Sequence, residues 1–190
     1  MFTRAISTRA RTAIGAGWLA MAVFVLTGSV GVAHAQQSPP AQAAVTVNGK
    51  KITISYSAPS VRGRKIFGEG GVVAKDSTYP VWRAGANNAT AFQTEADLTI
   101  GSLTVPKGSY TLYVLAKDPD AWELIISKET GQWGTEYHAN RDLGRVKMDV
   151  SKPPTPVERM KFTLTNTGGN NVKLELAWEN HVASVPVVVR

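Results

Sequence analysis

The sequence predicts an all-β protein: an antiparallel, jelly-roll-like β-sandwich of about nine or ten strands with at most one short helix. Apolar and polar residues alternate with a period of two in many short segments, as in half-buried strands. Turn signals built from Gly, Pro, Asn and Asp separate these segments at intervals of roughly 8 to 12 residues. The segments are too short and too evenly spaced for the β-α-β units of a parallel sheet.

Residues 1–35 have the organisation of a secretory signal peptide. A basic start without acidic residues is followed by the apolar residues 13–32 and by Ala33-His34-Ala35, a small-x-small cleavage site. The basic residues are Arg4, Arg9 and Arg11. We therefore expect cleavage after Ala35 and export to the periplasm or the outside of the cell. The alternative is an uncleaved membrane anchor, since about 20 apolar residues span a bilayer.

Charge and cysteine content exclude several classes of protein. The formal net charge is +7, and loss of the three leader arginines leaves +4 on the mature chain. Without a clustered basic footprint, this mild excess gives no reason to expect a nucleic acid as partner. With no cysteine, the chain can form no disulfide, thiolate nucleophile or iron–sulfur cluster. The sequence indicates no cofactor, no metal and no membrane span after leader cleavage.

Behind the leader, the polar, Pro-containing residues 36–44 resemble a flexible spacer, and residues 45–190 form the single expected sandwich domain. This domain begins with a predicted β-hairpin. Asn48-Gly49 separates two strand-like segments, residues 45–47 and 50–57, and this pair supplies the positive φ angles of a type I′ turn.

The later strands are recognised by their inward-facing positions. We expect Phe92 to face the core, and Trp178 continues the apolar face of Val172, Leu174 and Leu176. Pro186 lacks the N–H that a central strand would use, which favours an edge position for the last strand. The one short helix is expected near residues 140–143.

The Gly-rich residues 58–80 invite comparison with a phosphate-binding loop, but the glycine spacing fits neither nucleotide motif and no helical pattern follows. Arg62, Arg64 and Lys65 in this loop have the chemistry to hold a carboxylate or phosphate, the arginines through bidentate hydrogen bonds. The alternative is a solvated basic loop anchored by Ile66 and Phe67.

The stretch Val81–Thr90 combines an indole, a guanidinium and two amides. Such groups need partners when buried, so the stretch either forms a polar network within the fold or presents one to a ligand. Trp133 lies in a second irregular region, beside two glycines, where its ring is free to stack on a sugar. Trp82 and Trp178 have the alternative of being core residues. The predicted ligand-binding residues are Arg62, Arg64, Trp82, Arg83, Asn87, Asn88 and Trp133.

Catalytic machinery is not evident. The mature chain has two histidines, His138 and His181, but no recognised motif that would supply a nucleophile for them to activate. Glu136, His138 and Asp142 were considered as a metal-binding triad, but their spacing is not a known metal-binding spacing. A carboxylate pair for glycoside hydrolysis would have to come from different strands facing one cleft. The candidates near the irregular regions are Glu95, Asp97, Glu136 and Glu179.

Several segments together resemble an exported bacterial family called domain of unknown function 2911. They include Ser-Ala-Pro-Ser-Val-Arg-Gly-Arg-Lys-Ile-Phe-Gly (57–68), Val-Trp-Arg-Ala-Gly-Ala-Asn-Asn-Ala-Thr (81–90), Pro-Lys-Gly-Ser-Tyr-Thr-Leu-Tyr (106–113), Gln-Trp-Gly-Thr-Glu-Tyr (132–137) and Leu-Ala-Trp-Glu-Asn (176–180). They follow in matching order along nearly the whole mature chain. The resemblance implies an exported all-β domain, but it carries no established activity and therefore implies no catalytic residues.

We therefore expect an exported, non-catalytic domain that binds a small polar or carbohydrate-like ligand. The alternatives are an envelope structural or protein-interaction domain, whose partner would be another envelope protein, and a hydrolase that uses an Asp/Glu pair.

Overall fold

The computed structural model describes residue 1, residues 38–118 and residues 121–190. The predicted signal peptide therefore lies outside the described residues, apart from Met1. Gln36–Arg190 forms one compact unit.

The described residues form twelve strands, two more than the upper expectation. They are β1 (Pro40–Val47), β2 (Lys50–Ser57), β3 (Val81–Trp82), β4 (Thr90–Thr94), β5 (Leu98–Ile100), β6 (Leu103–Val105), β7 (Gly108–Asp118), β8 (Ala121–Ser127), β9 (Asp142–Ser151), β10 (Val157–Gly168), β11 (Asn171–Glu179) and β12 (His181–Val189). The described residues contain no α-helix, which is within the expected maximum of one. They contain two 3₁₀ turns, Val73–Lys75 and Ala139–Arg141, and the second overlaps the expected position of the short helix. The all-β class is confirmed.

The strands form two antiparallel sheets, which confirms the sandwich. The first sheet has the order β1-β2-β4-β7-β8-β9, and the second has the order β9-β12-β11-β10. Strand β9 belongs to both, because its residues up to Met148 pair with β8 and its last residues, from Asp149, pair with β12. Strands β5 and β6 extend the second sheet beside the end of β12.

The predicted hairpin is present, but its first strand starts earlier than expected. Asn48 and Gly49 have φ angles of 50° and 74°, as a type I′ turn requires. Strand β1 begins at Pro40 and pairs in unbroken register with β2. Residues 40–44 are thus part of the sheet and not of a flexible spacer, because backbone pairing with β2 overrides their weak apolar pattern.

The expected edge position of Pro186 is wrong. Strand β12 lies inside the second sheet, with β11 on one side and both β9 and β5 on the other. Pairing with β9 ends at Ser184 and pairing with β5 starts at Val187. Pro186 therefore lies where β12 changes partner, and its missing N–H interrupts no ladder.

Inward-facing residues from both sheets fill the core, and the predicted residue Phe92 is among them. The anchors of the 58–80 loop, Ile66 and Phe67, are also buried. Phe67 belongs to the core and contacts three indoles and one imidazole. Its partners are Trp82, Trp122, Trp178 and His181, with ring centroids 4.7 to 5.8 Å away.

The Val81–Thr90 stretch occupies a break in the first sheet. Strands β3 and β4 both pair with β7: Trp82 lies opposite Val114, and Thr90 lies opposite Leu112. The residues between them leave the sheet opposite Tyr113 and form a connection that we call the hub (residues 83–89).

Candidate functional site

The hub backbone is fixed by hydrogen bonds to neighbouring segments. The Thr90 hydroxyl donates to the Ala84 carbonyl at 2.9 Å, and the Ala86 N–H donates to the Ser57 carbonyl at 3.2 Å. Ala84 and Asn87 both have positive φ angles, 48° and 60°, which are unusual for residues with a side chain. Such conformations persist only where the surroundings hold them, so the hub is a defined structure.

Arg83 forms an ion pair with Asp76. Its Nη2 donates to Asp76 Oδ2 at 2.6 Å, and the two side chains are only 16% and 10% exposed. Arg83 Nη1 also donates to the Asn87 carbonyl at 3.4 Å, and Asn87 Nδ2 donates to Ser57 Oγ at 3.3 Å. Arg83 and Asn87 therefore belong to one polar network that fixes the shape of the hub.

The connection that follows β8, which we call the Trp133 loop (residues 128–136), packs directly on the hub. The Ala89 N–H donates to the Gln132 carbonyl at 3.2 Å, and the Gly134 N–H donates to the Asn87 carbonyl at 3.1 Å. A side chain at position 134 would collide with Arg83 and would come within 2.6 Å of the Asn87 carbonyl oxygen. Glycine thus permits the close approach that brings Trp133 beside the hub.

These segments enclose a cavity of about 290 Å³, which we call the Trp133 cavity. Five of the predicted site residues line it: Arg64, Trp82, Arg83, Asn87 and Trp133. Their roles differ, because Trp133 is 48% exposed whereas Trp82 is only 3% exposed. Trp82 therefore contributes a buried wall and not an open stacking surface.

Asp76 and Trp178 are among the lining residues outside the predicted set. Asp76 is the carboxylate that pairs with the largely buried guanidinium of Arg83. The only signal for this pairing in the sequence was that Asp76 lies seven residues before Arg83. Trp178 is a core residue, which was one of the two interpretations of its sequence context. It also lines the cavity, where its ring stacks on Trp82 with the ring centroids 5.5 Å apart. The buried Trp178 Nε1–H has no acceptor among the described residues.

The other two predicted residues lie outside this cavity. Arg62 lines a neighbouring cavity of about 400 Å³, together with Arg64, Glu158 and Arg159, which we call the arginine cavity. Asn88 lines a different depression on the outer face of β4 and β7. Lys65, also considered for anion binding, instead donates to the Glu69 carbonyl within its own loop at 2.8 Å.

Beyond the Trp133 loop, Tyr137, Asp142 and Arg145 form a separate polar cluster. The Tyr137 hydroxyl donates to Asp142 Oδ2 at 2.7 Å and accepts from Arg145 Nη2 at 2.8 Å. Burial, followed by the hydrogen bond to Asp142, raises the pKa of Tyr137 to about 12. Tyr137 therefore stays protonated at neutral pH and serves as a structural donor.

The considered metal triad is not assembled. Asp142 is engaged by Tyr137 and Arg145, while His138 Nδ1 lies 2.9 Å from Glu129 Oε2. The described ranges contain no group of three or more His, Asp or Glu side chains placed to hold a metal ion. They also contain no helix whose length and apolarity would let it cross a membrane.

Comparison with known proteins identifies a family but no function. No curated protein and no solved structure matches the chain. A family model described as "Protein of unknown function (DUF2911)" matches residues 38–187, which include all twelve strands except the end of β12, together with the hub and the Trp133 loop. The chain therefore belongs to the DUF2911 family.

Proposed function

We propose that this protein is an exported, non-catalytic binding domain that takes a small polar or carbohydrate-like ligand in the Trp133 cavity. The observation that carries the proposal is the half-exposed indole of Trp133 beside a cavity whose wall includes Arg64, Arg83 and Asn87. An exposed aromatic face stacks on a sugar ring, and nearby amide and guanidinium donors orient its hydroxyl groups. The volume is close to the lower limit of ordinary ligand sites, about 300 Å³.

Preorganisation of the cavity supports this proposal. The ion pair with Asp76 holds Arg83, and two backbone hydrogen bonds hold the Trp133 loop on the hub. Side chains that are already fixed lose little conformational freedom when a ligand binds, which favours affinity.

The arrangement of carboxylates favours binding over hydrolysis. Glycoside hydrolysis needs two carboxylates flanking the same bond. Among the described residues, Asp76 is the only carboxylate that lines the Trp133 cavity, and its Oδ2 is bonded to Arg83. The segments also enclose a concave site, whereas the protein-interaction alternative would be favoured by a flat surface.

A fluorescence experiment tests the proposal. In the described part of the chain, Trp133 is the only exposed tryptophan, so acrylamide quenching mainly reports on it. A panel of neutral and acidic mono- and oligosaccharides is screened by thermal shift, and each hit is expected to protect Trp133 from quenching. Trp133→Ala should raise the Kd of a hit at least about tenfold, a loss of about 1.4 kcal/mol.

The matched control is Tyr79→Ala, which removes an exposed aromatic ring that does not line the cavity. This variant should bind every hit with unchanged affinity. The proposal is wrong if no saccharide in the panel binds, or if Trp133→Ala binds the hits as tightly as the wild type.

A further inference from the structure

The arginine cavity adjoins the Trp133 cavity. Both are lined by Ser38 and Arg64, so Arg64 forms part of their shared wall. Three arginines and one glutamate line the arginine cavity, which gives its walls a formal charge of +2. Like charges repel, and this concentration of guanidinium groups beside a candidate ligand site requires an explanation.

The arginines come from distant parts of the sequence and are held together by backbone pairing. Ser60 and Arg159 form an isolated antiparallel bridge. On either side of it, the Val61 N–H donates to the Glu158 carbonyl at 2.8 Å and the Met160 N–H donates to the Pro59 carbonyl at 2.9 Å. These hydrogen bonds fix the start of β10 against the 58–80 loop, so the fold holds the positive charges close together.

Arg64 is held in place although it is exposed. Its Nε donates to the Val61 carbonyl at 3.0 Å, and its Nη2 donates to the Ser60 carbonyl at 2.7 Å. These bonds use two of the five guanidinium N–H groups, and the described residues supply no acceptor for the others. A guanidinium held in this way is preorganised to bind an anion.

The single acid of the cavity does not neutralise it. Glu158 Oε1 accepts the backbone N–H of Arg62 at 2.9 Å, so this carboxylate is anchored to the loop. In the described part of the chain, no carboxylate pairs with the exposed side chain of Arg159. The site thus retains positive charge for an external anion.

We propose that the arginine cavity is an anion-binding subsite, and that the ligand of the Trp133 cavity is an acidic sugar whose carboxylate or phosphate is bound by Arg64 and Arg159. This inference rests on the proposed function, because the sugar ring occupies the Trp133 cavity. To the proposed function it adds that the ligand is negatively charged. It also adds that the ligand extends past Arg64, from the Trp133 cavity into the arginine cavity.

Three probes test the inference on the mature chain: D-glucose, D-glucuronate and D-glucose 6-phosphate, titrated by calorimetry. The acidic sugars should bind at least tenfold more tightly than glucose, and comparison of the two acids separates carboxylate from phosphate recognition. Arg159→Gln should remove most of this advantage and leave the Kd for glucose within twofold. Trp133→Ala should weaken binding of all three.

The matched control is Arg141→Gln, which changes an exposed arginine that lines neither cavity and should leave the preference for acidic sugars intact. As a measurement that needs no variant, raised salt should reduce the affinity for the acidic sugars and leave that for glucose unchanged, because salt screens exposed charges.

The possible failures are distinguishable. Equal affinity for glucose and glucuronate, with loss of both in Trp133→Ala, would overturn the anion-binding subsite and leave the proposed function intact. An acidic preference that survives Arg159→Gln would place the anion elsewhere and overturn this assignment. If none of the three sugars binds, the inference fails, and the wider saccharide panel then decides the proposed function.

Discussion

Removal of the Arg83 guanidinium is expected to destabilise the domain, because Asp76 would be left buried without its main partner. Among the described residues, only Thr78 would still contact the Asp76 carboxylate in Arg83→Ala, through long contacts of 3.5 Å from its backbone nitrogen and 3.4 Å from its hydroxyl. Breaking a buried ion pair on one side costs about 3–5 kcal/mol. Since both side chains keep some exposure, 16% and 10%, we expect the lower end, about 3 kcal/mol.

Urea denaturation and thermal unfolding measure this effect. For a domain of this size, 1 kcal/mol shifts Tm by about 2–4 °C, so the loss should lower Tm by about 6–12 °C. A double-mutant cycle with Asp76→Ala isolates the pair. The double variant should be more stable than the sum of the single effects implies, by about 1 kcal/mol or more.

The exposed Arg141 provides a matched control, because Arg141→Ala should change the free energy of unfolding by less than about 0.5 kcal/mol. A loss below about 1 kcal/mol in Arg83→Ala, or additive effects in the cycle, would refute the argument that this ion pair holds the hub. It would leave Arg83 available as a simple ligand contact, which is the role that the sequence first indicated.

Three other substitutions test further parts of the structure. Gly134→Ala should cost about 1–3 kcal/mol in urea denaturation, because its Cβ would displace Arg83; an unchanged midpoint would contradict the close docking of the loop. Phe67→Ala should cost about 3–5 kcal/mol and reduce the near-ultraviolet circular dichroism of the aromatic cluster; retention of both would contradict its central position. The pKa of Tyr137 in the fold is about 12, above the ordinary tyrosine value of 10.0. The stabilisation that this raised pKa reflects is therefore complete below pH 10 and is lost between about pH 10 and 12. Tyr137→Phe should lose less stability over that interval than the wild type; parallel pH profiles would contradict the raised pKa.

Local sequence patterns predicted much of the fold because strand alternation and turn chemistry are local properties. The Asn48-Gly49 turn and the inward position of Phe92 follow from neighbouring residues alone. The error at Pro186 has a long-range cause, since only the arrangement of β9 and β5 creates the point at which a central strand tolerates proline. Strand β1 likewise depends on pairing with β2, so composition alone made residues 40–44 resemble a spacer.

The lining of the Trp133 cavity was predicted in part. The sequence singled out Arg64, Trp82, Arg83, Asn87 and Trp133, and the fold places all five around one cavity. It did not predict Asp76 as the partner of Arg83, and it did not separate Arg62 and Asn88 from the group. Which side chains share a cavity depends on strand register and loop docking, and neither is encoded in residue type.

By itself, the sequence determined the all-β class and the polar character of the Val81–Thr90 stretch, because residue periodicity and side-chain chemistry are set locally. Only the tertiary structure decided that this stretch forms a partly buried polar network and also contributes residues to the wall of a cavity. The ion pair with Asp76 holds the Arg83 side chain in place, and the absence of a side chain at Gly134 lets the Trp133 loop pack closely on the hub. Both outcomes depend on contacts between segments that are separate in the chain and meet only when the sheets pack.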